Sequence, residues 1–125
     1  MAIEPKRILV IDDEADIVDV VSAYARELGF EADSARSGGE AVDKARDIDY
    51  HAIFCDYRMP GLNGLAIYKL IISKKLAIKG RFIMTTGAPL DKEVEGILRR
   101  EGIPVLRKPF RLKSIKELIF SVEEG

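Results

Sequence analysis

Asp12, Asp13 and Asp56 are three carboxylates that each follow a short apolar run: Ile8-Leu9-Val10-Ile11 before the pair, Ala52-Ile53-Phe54-Cys55 before the third. Two more runs end in polar residues of a different kind. Phe82-Ile83-Met84-Thr85 leads into Thr86, and Val105-Leu106 leads through Arg107 to Lys108 and Pro109. Carboxylates brought together repel one another, and a proton or a cation relieves that cost. Hard oxygen donors with no Cys or His among them suit Mg2+, which keeps several waters and binds phosphate oxygens readily. Lys108 then offers a point charge for an anion, and Thr86 a hydroxyl that can donate to an oxygen. A carboxylate can itself attack phosphorus and form an aspartyl phosphate. In such a site positioning and electrostatics supply most of the catalysis.

These side chains meet only if the four runs are parallel strands sharing one sheet edge. Arg7–Ile11 is a continuous β-branched and leucine run, as expected of a strand buried on both faces. From Glu14 to Leu28 the period becomes helical through Ile17, Val20, Val21, Tyr24 and Leu28, and Gly29 is a left-handed stop. Phe30–Ala35 is short and partly polar, which suits a strand near the sheet edge. Ser37-Gly38-Gly39-Glu40 has capping-box spacing, followed by a short helix with Ala41, Val42 and Ala45 on a narrow apolar face. A strand over Ala52–Cys55 is followed by a loop from Tyr57 to Asn63, because Met59-Pro60-Gly61 breaks both regular patterns. Leu65–Ser73 is helical, Arg81–Thr86 a strand, Lys92–Arg100 a helix stopped by Gly102, and Pro104–Arg107 a last strand. Leu112, Ile115, Leu118, Ile119 and Val122 mark a final helix. Five strands alternating with five helices call for right-handed parallel crossovers and a sheet covered on both faces. The expected fold is one doubly wound α/β domain, and such folds bind ligands outside the carboxyl ends of their strands.

Bulk properties narrow the partners. A chain of 125 residues fits one domain, and 47% apolar residues can bury a real core. The formal charge is −1 with both signs interleaved, and no basic block of the kind that holds nucleic acid is present. The lone Cys55 excludes an internal disulfide and, inside an apolar run, reads as a buried, inert thiol. There is no run of about 18 apolar residues and no apolar signal segment between Met1 and Arg7, so the expected location is cytoplasmic, with no membrane partner. His51, the only histidine, has no ligand partners at metal spacing and is expected at the surface or a strand edge.

Each candidate has an ordinary reading taken alone. A Lys before Pro-Phe is usually a solvated charge, and a Thr closing a strand is usually a satisfied turn residue. Asp12 or Asp13 could cap the helix that follows, and Asp56 could simply open a loop. Taken together, five suitable side chains at four strand ends favour a site.

The motifs Ile11-Asp12-Asp13-Glu14, Asp56-Tyr-Arg-Met59-Pro60-Gly-Leu-Asn-Gly64, Thr86-Gly87 and Lys108-Pro109-Phe110 resemble the receiver domain of two-component response regulators, of the chemotaxis-regulator type. The resemblance runs from about Arg7 to the last helix. It implies a flavodoxin-like fold with strand order 2-1-3-4-5, and one receiver domain over 1–125 with its core at about 7–123. It implies that Asp56 accepts a phosphoryl group from the phosphohistidine of a cognate sensor histidine kinase, and that Asp13, Asp56 and the backbone carbonyl of Arg58 ligate Mg2+. Asp12 would support the metal through water, Thr86 would follow the phosphoryl group, and Lys108 would contact it from the other side. A cis peptide bond between Lys108 and Pro109 is also implied. Such a domain assists its own phosphorylation and dephosphorylation and is not an enzyme with a separate substrate. Its further partners are an output domain or protein, or a phosphotransfer protein, met through the surface around Ala88–Arg100, Val105 and the last helix. No direct contact with nucleic acid is implied. Receivers often carry Tyr or Phe on the last strand; Val105 stands there, so the aromatic half of the usual relay has no ring. Arg58, two residues after Asp56, is expected to reach over the site and tune phosphoryl lifetime.

Alternatives are narrower. A haloacid-dehalogenase-like phosphatase also uses a strand-end Asp with Mg2+, but expects a second Asp where this chain has Arg58. A flavin binder of the same fold needs a hydroxyl- and glycine-rich loop after the first strand, where Asp-Asp-Glu repels phosphate. A P-loop NTPase lacks its Gly-x-x-x-x-Gly-Lys-Ser/Thr. The closest rival is a phosphorelay intermediate, or the receiver of a hybrid kinase, that passes the phosphoryl group to another protein.

Overall fold

The computed structural model describes residues 6–124, so the expected domain limits at 1 and 125, and the reading of Met1–Pro5, lie outside the described residues. The elements are β1 (Arg7–Ile11), α1 (Ala15–Glu27), β2 (Glu31–Ala35), α2 (Gly38–Asp47), β3 (Tyr50–Asp56), α3 (Gly64–Lys74), β4 (Phe82–Thr86), α4 (Lys92–Glu101), β5 (Val105–Arg107) and α5 (Leu112–Glu124). All sheet pairings are parallel, in the order β2-β1-β3-β4-β5. Strand order and helix count are those expected.

The period-2 alternation of the central strands sorts their side chains into two cores. Leu9, Ile11, Ile53, Cys55 and Met84 pack with Ala41 and Ala45 of α2, Ile67, Tyr68 and Ile71 of α3 and Leu98 of α4. Ile8, Val10, Ala52, Phe54 and Ile83 pack with Val21 and Ala25 of α1 and Ile115, Ile119 and Val122 of α5. Burial of each such large side chain stabilises the fold by roughly 1.5–3 kcal/mol before the cost of ordering it. β2 carries the partly polar pattern and takes the edge, as its composition predicts.

Local signals set the helix ends. The Ser37 Oγ accepts from Glu40 N at 3.2 Å, and Asn63 Oδ1 accepts from Ala66 N at 2.9 Å. Glu40 completes the box one residue early: its Oε1 accepts from Arg36 N at 2.9 Å. Gly29 and Gly102 take positive φ at the ends of α1 and α4, where no Cβ has to be accommodated.

Three expectations are corrected. β3 begins at Tyr50, two residues before the apolar run, because pairing with β1 extends to Arg7. A short 3-10 turn, Leu76–Ile78, fills what the sequence left between α3 and β4. His51 is buried inside β3, against expectation: its ring lies 5.0 Å from that of Phe30, and its Nε2 pairs with the Ile119 carbonyl at 3.0 Å. A donor that bonds the backbone of α5 satisfies the ring without a strand edge.

Candidate functional site

The crossovers leave four strand ends side by side. Asp12 extends the ladder one residue beyond β1, its N–H donating to the Ala35 carbonyl at 3.1 Å. Its side chain is 1% exposed. Oδ1 accepts the Glu14 N–H at 2.9 Å, so Asp12 does steady the start of α1 as its ordinary reading allows. Oδ2 is buried and takes no hydrogen bond. Among the described residues, only the charge of Lys108 answers it, with Nζ 3.1 Å away.

Asp56 closes β3 and is buried. Its neighbour Tyr57 donates to the Thr85 carbonyl at 2.9 Å and accepts from Gly64 N at 2.8 Å, so the loop returns α3 to the same point. Gly64 makes that return possible: a Cβ there would sit 3.0 Å from both the Asp56 carbonyl oxygen and Tyr57 Cα. Met59 and Leu65 anchor the intervening loop in the core. Lys108 is held at the far side by its backbone N–H, which donates to the Thr86 carbonyl at 2.8 Å. The Lys108-Pro109 peptide bond is cis.

The side chains converge as charge demands. Asp12, Asp13 and Asp56 each offer an oxygen within 4.8 Å of the others. Lys108 Nζ lies 3.1 Å from Asp12, 3.4 Å from Glu14 and 3.6 Å from Asp56. Burial pushes the Asp56 carboxyl up to about 6, and Asp12 and Asp13 add to that push; Lys108 and the Arg58 backbone N–H work against it. Burial works against charge on Lys108, but Asp12, Asp56 and Glu14 outweigh it and raise its pKa. The result is an acidic cluster only partly neutralised from within. Three convergent carboxylates, one with a buried oxygen lacking a hydrogen bond, are a donor set that fits a hard divalent cation.

A concavity of about 260 Å³ opens over the cluster, lined by Asp13, Glu14, Asp56, Arg58, Gly87, Ala88 and Lys108. Of the five residues singled out from the sequence, the structure brings Asp12, Asp13, Asp56 and Lys108 together. Thr86 reaches the same sheet edge but turns its hydroxyl to Ala88, donating to the carbonyl at 2.6 Å and accepting from the N–H at 3.2 Å. The exposed Arg58 lines the concavity. Val105 lies half-exposed on β5, away from the carboxylates, beside Leu98, Arg99 and Ile103. Cys55 is buried, and burial, then Asp56 and Asp12, push its thiol well up, which keeps it inert.

Two residues were missed. Glu14 shares Lys108 and lines the concavity; its place directly after the Asp pair was a usable cue. Arg36 donates from Nη2 to the Asp13 carbonyl at 3.2 Å, and nothing in the sequence marks it.

Known proteins are similar in sequence and in fold. Residues 8–120 match the response regulator receiver domain family. The response regulator SaeR of Staphylococcus aureus is 32% identical over 116 residues, covering 92% of this chain and 48% of SaeR. The transcriptional regulatory protein ResD of Bacillus subtilis is 36% identical over 69 residues, 55% of this chain and 29% of ResD. This chain thus spans about half or less of the length of those relatives. Among solved structures, the response regulator TrrA of Thermotoga maritima, in complex with Mg2+ and BeF, superposes with a TM-score of 0.79 at 30% identity, over 94% of this chain and 98% of that one. A receiver domain of a Pseudomonas aeruginosa sensor histidine kinase, with a magnesium ion coordinated in its active site cleft, gives 0.81 at 25% identity, over 96% and 99%. A CheY-like receiver domain protein of Methanospirillum hungatei gives 0.82 at 25% identity, over 98% and 100%. With its sheet order, strand-end carboxylates and near full-length sequence match in agreement, this chain belongs to the response regulator receiver domain family of two-component signalling.

Proposed function

We propose that the chain works as a single receiver unit in which Asp56 accepts a phosphoryl group from the phosphohistidine of a sensor histidine kinase. The observation that carries this reading is the burial of Asp56 at a strand end, facing an open concavity and flanked by Lys108 and two more carboxylates. An Asp56 oxygen attacks phosphorus, the phosphorus–nitrogen bond breaks, and the histidine nitrogen keeps the electron pair. Asp13, Asp56 and the Arg58 backbone carbonyl are the residues that would hold Mg2+, with Asp12 behind them through water. When bound, Mg2+ would offset the negative charge on the transferring group. Lys108 supplies the positive charge on the other side. For Thr86 to follow the phosphoryl group, its hydroxyl must leave Ala88 and turn toward Asp56, and that turn is the local change a partner surface would read.

We place the protein in the cytoplasm, where a kinase phosphohistidine would meet it; no described helix is long and apolar enough to cross a membrane. The receiver acts on an output domain or protein. Onward transfer to a phosphotransfer protein is the second reading, supported by the likeness to the receiver of a sensor histidine kinase.

The test is incubation with phosphoramidate, with and without Mg2+, read by intact mass. One phosphoryl group should be gained, only with Mg2+, and Asp56→Asn should gain none. Labelling that survives in Asp56→Asn would overturn the assignment of the acceptor.

A further inference from the structure

Charge is segregated along this chain. Between Asp56 and Asp91 it carries Arg58, Lys69, Lys74, Lys75, Lys79 and Arg81 and no acidic residue, although the net charge of the whole is −1. The four lysines run from the middle of α3 to the end of the 3-10 turn.

The same stretch displays two large apolar side chains. Leu70 is 41% exposed, and Leu76, at 71%, is the most exposed large apolar residue described. Leu76 sits on a turn that is pinned rather than loose. Lys75 Nζ lies 2.9 Å from Asp49 Oδ1, Ile78 is buried, and the Ile78 carbonyl accepts from Arg81 N at 2.8 Å. Lys69, Lys74 and Lys79 are exposed and have no acidic partner among the described residues.

The apolar area left over is small. Ile67, Tyr68 and Ile71, the other large faces of α3, are spent in the core. Two exposed leucines, one on α3 and one on the turn after it, are too little apolar surface for a helix to lie in a bilayer. Apolar anchors inside a charged rim are instead the pattern of a protein interface. A second copy of the chain is disfavoured, because the identical face would oppose lysine to lysine.

We propose that the C-terminal end of α3 and the 3-10 turn form a docking surface for an acidic, leucine-bearing helix of a partner protein. Leu70 and Leu76 are the anchors, and Lys69, Lys74 and Lys79 select the acidic partner. α3 starts against the Asp56 backbone and carries the chain roughly 16 Å away from it over its length, so this docking needs neither metal nor phosphoryl group.

The experiment uses the full chain, metal-free and unphosphorylated, labelled with nitrogen-15. It is titrated with a synthetic helical peptide bearing leucine on one face and glutamate on its flanks, and with a twin carrying lysine in place of glutamate. The acidic peptide should shift amides within 66–81, and the twin should not. Leu76→Ser and Lys79→Glu, both exposed changes, should each weaken binding about tenfold, as should raising the salt to about 0.5 M. Equal binding of both peptides, shifts elsewhere, or indifference to Leu76→Ser would overturn the proposal. So would either of two other outcomes without peptide binding: co-sedimentation with phosphatidylserine vesicles that depends on Leu76, or a Leu76-dependent dimer. Failure of phosphorylation at Asp56 would leave these readouts untouched, so the two readings fail separately.

Discussion

The guanidinium of Arg36 hydrogen-bonds the backbone carbonyl of Asp13 at 3.2 Å and so ties the loop after β2 to the loop that carries two of the three carboxylates. Arg36 is itself held, through its backbone N–H, by Glu40 at the start of α2. The bond sets the path of the Asp13 backbone and brings positive charge close to an acidic cluster. Arg36→Ala should weaken Mg2+ binding about tenfold by titration calorimetry, the low end of what losing a bond that orients a metal ligand costs. Arg36→Lys should recover part of that loss. If Asp13→Asn weakens binding while Arg36→Ala leaves it intact, the bond is only a surface contact.

Among the described residues, Lys108 is the one cation within reach of both Asp12 and Asp56. Its removal leaves the buried Asp12 oxygen unanswered, at a cost of about 3 kcal/mol. Lys108→Ala should therefore unfold at lower urea in metal-free buffer, and Mg2+ should restore more stability to it than to the wild type. Phosphoryl uptake should fall at the same time. A variant as stable as the wild type without Mg2+ would show that Asp12 finds other compensation.

Because the Asp56 carboxyl is pushed up to about 6, the folded chain holds its proton more tightly than the unfolded chain does. The stabilisation this gives is complete below the ordinary value of 3.8 and is lost as pH rises through about 6. Metal-free wild type should thus lose on the order of 2 kcal/mol, relative to Asp56→Asn, between about pH 4 and about pH 7. Mg2+ should offset that loss near neutral pH. Urea midpoints measured across the range decide it: a constant difference between the two proteins would contradict the raised carboxyl.

Gly64 has no room for a side chain. A Cβ would press on Met84, which can move, and on the Asp56 and Tyr57 backbone, which cannot without shifting the site. Gly64→Ala should cost about 1–3 kcal/mol and slow phosphorylation as well. Full stability together with unchanged phosphorylation would mean that α3 can slide away freely.

Arg58 lines the concavity beside Asp56 with its side chain exposed. Arg58→Ala should change the half-life of the phosphorylated protein by several-fold while leaving its fold intact, since that side chain borders the concavity through which water would approach Asp56. An unchanged hydrolysis rate would remove Arg58 from that role.

Much of this was legible in the residues. Continuous apolar runs with helical stretches between them announce a parallel sheet, and the partly polar β2 announces its own edge position. The carboxylates were legible because each closes a run that has to be a strand. His51 was not, because its partner, the Ile119 carbonyl, is 68 residues away and no local pattern encodes it. Arg36 escaped for the same reason: its bond crosses 23 residues to a backbone atom, which has no letter in the sequence.

The sequence by itself determined the order of elements and the identity of the chemical groups, because periodicity and capping act within a few residues. It also determined that carboxylates and a lysine would share one edge, since parallel strands must all end on the same side. Only the tertiary structure decided how they face one another. Lys108 answers Asp12 at 3.1 Å more closely than Asp56 at 3.6 Å, and Thr86 rests on Ala88. Those choices depend on packing and on charges brought together from distant segments, and their energies exist only once the chain has folded.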